Sequence, residues 1–113
     1  MANKLCDETM TALILLVLAQ VAQADTLADQ AQALLDQGKA KAAYNLLDPH
    51  ESERAGDVNF DLSFGIAAVD DGQNTRGVFA LERVLAVEPS NARAGTEIAR
   101  AYRSLGEMVA VRQ

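Results

Sequence analysis

Apolar residues return at helical spacing along most of this chain, and glycine interrupts them at regular points. The segments ALLDQG, AAVDDG and YRSLG end on Gly38, Gly72 and Gly106, three glycines set at equal intervals. Glycine just past a helical pattern suits a helix C-terminus, because it enters the left-handed conformation without a Cβ penalty. The pattern predicts helices over about residues 26–37 and 39–47, then a polar loop over 48–56 (DPHESERAG). A helix over 59–70 follows, with Asp57 or Asn59 as its N-cap, and another over 75–87, capped by Asn74. Pro89, Ser90 and Asn91 turn the chain into a last helix that runs to about Leu105. Val78, Phe79, Leu81, Val84, Leu85 and Val87 make the 75–87 helix apolar on most sides, which predicts that it carries the centre of the core.

A 34-residue period with a helix–turn–helix in each copy is the signature of tetratricopeptide repeats. Other positions agree with that pattern. Ala43 is the small residue expected five after the first glycine, and Pro89 the proline expected seventeen after the second. Gly65, with Ala31 and Ala99 as its equivalents, would let the two helices of a hairpin cross closely, and Tyr102 is the large aromatic four before Gly106. Gly77 stands where alanine is usual, at a helix-propensity cost of about 1 kcal/mol. The expected fold is therefore all-α: a tetratricopeptide-like stack of antiparallel helical hairpins, about two and a half repeats long, over residues 25–113. Its first repeat is irregular, because Pro49 arrives early. Its third repeat has one helix and, in EMVAVRQ after Gly106, only the beginning of a second. Ile98, Tyr102 and Leu105 would then form an incompletely covered face. Truncation of a longer protein, pairing with a second copy or a partner helix, and extension or fold-back of the last residues all remain open.

The first 24 residues read differently. Residues 11–19 (TALILLVLA) are continuously apolar, and Ala22 and Ala24 give the small-x-small pattern of a signal-peptidase site before Asp25. The run is shorter than the roughly 20 residues of a membrane span. An export signal is expected, with an uncleaved anchor or an ordinary first helix as alternatives. Lys4 is offset by Asp7 and Glu8, so the usual positive bias of such a leader is missing. Cys6 precedes the apolar run and cannot serve as a lipobox cysteine; a mature chain would hold no cysteine.

The stretch from Phe60 to Glu107 resembles the N-terminal tetratricopeptide region of the surface lipoprotein assembly modifier family of bacterial outer-membrane proteins. Gly65, Gly72, the run VFALERVLAV, Pro89, Ala99–Tyr102 and Gly106 carry the likeness. The resemblance implies export and a periplasmic or outer-membrane setting, where family members have helical repeats ahead of a β-barrel. No alternating strands for a barrel follow Gly106 here, so the family's full task is not implied.

Composition and charge narrow the function. The chain is 50% apolar and 23% charged, as in globular proteins. A formal charge of −6 argues against nucleic acid, which needs a basic footprint. From Asp25 to Thr75 there are ten acidic and three basic residues; from Arg76 onward, six arginines face four glutamates. His50 is the only histidine, in the loop after Pro49, and no nucleotide, calcium or metal motif occurs, so neither an enzyme nor a cofactor is expected. The expected role is a scaffold that binds a polypeptide, or itself through the third repeat, with membrane contact only if the leader is retained. The repeat pattern puts Asp25, Gln32, Asp36, Asn59, Ser63, Asp70, Arg93, Arg100 and Arg103 on the concave face. Ala28 and Gln32 stand where chaperone-binding members carry a carboxylate-clamp Lys and Asn. Arg93, Arg100 and Arg103 suit either an acidic-peptide contact or solvated pairing with Glu97 and Glu107. A membrane-anchored adaptor and a non-functional fragment of a longer protein are the alternative readings.

Overall fold

Two of the three glycines turn the chain. The computed structural model describes residues 26–112, with side chains as far as Met108, and all regular structure among them is helical. The expected export segment, with Cys6 and Asp25, lies outside the described residues. Helix α1 (residues 26–36) ends at Gly38, whose φ is 74°. There Gly38 N donates to Leu35 O (3.0 Å) and Lys39 N to Leu34 O (2.8 Å), which satisfies carbonyls that the helix end would orphan. At Gly72 (φ 85°) the same arrangement recurs, Gly72 N to Val69 O (3.1 Å) and Gln73 N to Ala68 O (2.7 Å).

These turns lead from α1 into α2 (Ala40–Leu47) and from α4 (Val58–Asp70) into α5 (Asn74–Val87). Asp57 caps α4, its Oδ1 accepting from Asn59 N (3.1 Å) and Phe60 N (3.3 Å). The Arg54 bond to Asp57 holds this carboxyl below its ordinary pKa, against the opposing effect of burial. The last helix, α6 (Ala92–Arg112), starts at Asn91, whose Oδ1 accepts from Ala94 N (3.0 Å).

Four expectations are corrected. Gly106 does not turn the chain; it lies inside the 21-residue α6, so no second helix begins at Glu107. Asn74 is not a cap but the first residue of α5, with a buried Oδ1 that has no hydrogen-bond donor. Residues 48–56 are not a simple loop: a 3-10 turn at Asp48–His50 and a short helix α3 (Glu51–Arg54) occupy them, with Pro49 in the first positions of that turn. The centre of the core is α4 and not α5, since residues Phe64 to Val69 are all buried whereas Phe79 and Val87 on α5 are 57% and 61% exposed.

Helix α4 divides the core. One side joins Phe60, Phe64, Ala67 and Ala68 to Ala31 of α1 and Ala43, Tyr44 and Leu47 of α2. The rings of Tyr44, Phe64 and Phe60 stack in sequence at 5.6 and 5.9 Å. The other side puts Val69 against Val78, Leu81 and Val84 of α5 and Ala94 and Ala101 of α6. Helices α4 and α5 cross at glycines. A methyl on Gly77 would stand 2.5 Å from Val69 Cγ2 and 3.2 Å from its backbone N, and one on Gly65 would stand 2.6 Å from Leu81 Cγ. The residues at the matching positions of the preceding hairpin, Ala31 and Ala43, are both fully buried.

Two glycine-to-alanine changes should therefore act in opposite directions. Gly77→Ala gains about 1 kcal/mol of helix propensity, but overpacking costs about 1–3 kcal/mol, so the urea midpoint should fall. At Gly106 a methyl meets nothing within 4 Å, and Gly106→Ala should stabilise by up to about 1 kcal/mol. A lower midpoint for Gly106→Ala would contradict a continuous α6.

Candidate functional site

Helices α1 and α4 flank a groove of about 530 Å³. Ala28, Asp29 and Gln32, within two turns of α1, form one wall, and Asn59, Leu62 and Ser63, also within two turns, form the other. Arg54 and Asp57 complete the lining. Of the residues expected on a concave face, the fold brings Gln32, Asn59 and Ser63 together here. Gln32 Nε2 donates to Asp36 Oδ1 (2.8 Å), and among the described residues its carbonyl oxygen and the side-chain groups of Asn59 and Ser63 have no hydrogen-bond partner. Arg54 Nη2 meets Asp57 Oδ2 at 3.0 Å and its guanidinium lies over the Phe60 ring at 5.4 Å.

The other expected residues gather elsewhere. Arg100 donates to Asp70 of α4 and to Glu97 on its own helix. The Glu97 bond, then that to Asp70, keeps the Arg100 guanidinium above its ordinary pKa despite burial. Arg93 approaches the same Glu97 at 3.4 Å, and Arg103 is exposed, with no ion pair among the described residues. This cluster ties α6 to α4 and leaves Arg100 neutralised. Ile98 and Leu105 are half-buried against the α5–α6 core, while Tyr102 is 52% exposed. Tyr102 Oη donates to Glu82 Oε1 at 3.1 Å, and that bond pushes the phenol pKa up.

A second ionic group, built on α5, was not anticipated from the sequence. Arg76 and Arg83 lie two turns apart on one face. Arg76 meets Asp48 at 2.6 Å, donates to Glu51 and Tyr44 Oη, and lies over the rings of Tyr44 and Phe64 at 5.5 and 5.3 Å. Arg83 donates through Nε (3.2 Å) and Nη2 (2.9 Å) to Oδ1 of Asp61, and reaches Glu51 at 3.4 Å. Asp61 is 1% exposed, and its Oδ2 accepts from Gly56 N at 2.8 Å. The Asp61 bond, against the effect of burial, holds the Arg83 pKa above its ordinary value. These contacts fasten residues 48–56 to α5 and so fix Arg54 and Asp57 at the groove.

The seven-residue spacing of Arg76 and Arg83, together with one aspartate inside the apolar run of α4, would have pointed to this group. Asp29 and Asp57 were missed because neither is a position the repeat pattern assigns to ligand contact. Among the described residues no three His, Cys, Asp or Glu side chains gather as a metal site would need, and no helix is long and apolar enough to cross a membrane. His50 is exposed at the end of the 3-10 turn. Comparison with protein families, curated proteins and solved structures finds no match for the chain.

Asp61→Ala strands the Gly56 N–H and the Arg83 guanidinium together, so it should lower stability by about 2–3 kcal/mol. Glu51→Gln, on a partly exposed pair, should lose less than about 1 kcal/mol. Equal losses in urea titrations would show that Asp61 is not the anchor. Asp57 adds a pH dependence. Its folded pKa lies below 3.8, so its contribution is present above the unfolded value and is lost as pH falls through the folded one. Asp57→Ala should cost about 1 kcal/mol at neutral pH and flatten the stability curve between the unfolded and folded pKa values, where the wild type loses this contribution.

Proposed function

We propose that this chain is a non-catalytic protein-interaction module of the tetratricopeptide type, acting on the exported side of a bacterial membrane. Its α1–α4 groove receives an extended polypeptide. The recurrence of one glycine turn, at Gly38 and again at Gly72, carries this reading, since it gives two successive hairpins the same handing-over geometry at the tetratricopeptide period. Two further features support it. The helix crossings fall on small residues at matching positions, Ala31 and Ala43 and then Gly65 and Gly77. The groove walls carry amide and hydroxyl groups, on Asn59 and Ser63, that have no hydrogen-bond partner among the described residues. Such groups suit peptide backbone, which offers an N–H and a C=O at nearly every residue. Export rests on the apolar run of residues 11–19 and the Ala22-x-Ala24 pattern.

Site-specific photocrosslinking in cells tests the groove. A photoreactive residue at Ser63 should give discrete adducts, and one at Asn45, an exposed α2 position outside the groove lining, should not. Equal adducts from both, or none from Ser63, would overturn the reading. N-terminal sequencing of the cellular protein should begin at Asp25, and a retained Met1 would refute cleaved export.

A further inference from the structure

We propose that the α1–α4 groove selects peptides carrying a cationic side chain, and that Asp29 is the residue that selects them. This rests on the groove being a polypeptide site. Within it the charges are unequally committed. Arg54 and Asp57 neutralise one another at 3.0 Å, with the guanidinium also held over Phe60. Among the described residues Asp29 has no ion pair and no hydrogen bond, so one carboxylate remains uncompensated in the lining. It stands one turn from Gln32 on α1. A peptide backbone held by Asn59, Ser63 and the free Gln32 carbonyl would therefore run past Asp29.

A Lys or Arg side chain pairs with that carboxylate, and a Glu or Asp side chain is repelled by it. The arginines suggested by the sequence do not reverse this preference. Arg100 is occupied by Asp70 and Glu97, and neither it nor Arg93 belongs to the lining. The wider field has the same sign, because residues 25–75 hold ten acids against three bases.

The test is a titration of the isotopically labelled full chain with matched Gly/Ser-rich peptides that differ only in one central Lys, Glu or norleucine. Heteronuclear NMR follows the side-chain amides of Gln32 and Asn59 and the backbone of Ser63. The Lys peptide should shift these signals with an affinity about threefold or more above the norleucine peptide, and the Glu peptide should bind more weakly than both. Asp29→Asn should remove the Lys preference, raised salt should weaken it, and norleucine binding should stay unchanged. If all three peptides shift the groove signals equally, or the Glu peptide binds best, the cationic preference is wrong while the groove remains a peptide site. If no peptide shifts Gln32, Asn59 or Ser63, the groove reading itself falls.

Discussion

Everything on the C-terminal side of α4 depends on how closely α5 can approach it. At Gly65 and Gly77 the two backbones come near enough that the carbonyl of Gly65 would lie 3.1 Å from a methyl on Gly77. Two glycines inside helices each sacrifice about 1 kcal/mol of propensity relative to alanine. Close approach returns dispersion contacts along the whole crossing. It lets Leu81 and Val84 reach the cluster that includes Ala94 and Ala101 of α6. It also brings Arg83 within hydrogen-bonding distance of Asp61 on α4. At the matching positions of α1 and α2 stand Ala31 and Ala43, small residues that are both fully buried in one cluster.

The Arg83–Asp61 pair has a consequence further along the chain. A carboxylate as buried as Asp61 is costly to desolvate unless both oxygens are satisfied. Gly56 N meets one oxygen, and the two nitrogens of Arg83 meet the other. Glu51 pairs with both Arg76 and Arg83, and Arg54 at the other end of α3 pairs with Asp57, the α4 cap, so α3 is tied at both ends. The end of the groove is therefore built by ion pairs formed outside it. The groove walls on α1 and α4 are set by helix packing.

How much of this was legible in the sequence depended on whether the cause was local. Gly38 and Gly72 were readable because a left-handed C-terminal residue is a property of the turn itself. Gly106 has the same local setting, yet it adopts no positive φ. Glu107 and Met108 propagate helices well, and an exposed glycine there obstructs nothing. Asn74 was misread for a similar reason: asparagine favours caps in general, but here the chain reaches helical conformation one residue earlier. Residues 48–56 look like loop because the arginines that order them lie 25 to 32 positions away. Gln32, Asn59 and Ser63 were placed by repeat arithmetic. Asp29, Arg54 and Asp57 needed the groove itself.

Charge shows most clearly why counting residues differs from reading a surface. By sequence the last third of the chain is its basic part, which invites an anionic ligand for its arginines. In the fold Arg76, Arg83, Arg93 and Arg100 all spend their charge on carboxylates, and three of the four reach acids from the acidic part: Asp48, Glu51, Asp61 and Asp70. The opposite charges of the two parts thus cancel where α5 meets residues 48–51 and α4, and where α6 meets α4. The groove lining holds no row of guanidinium groups; it keeps the carboxylate of Asp29 beside the Asn59 amide, the Gln32 carbonyl oxygen and the Ser63 hydroxyl, none of them partnered among the described residues.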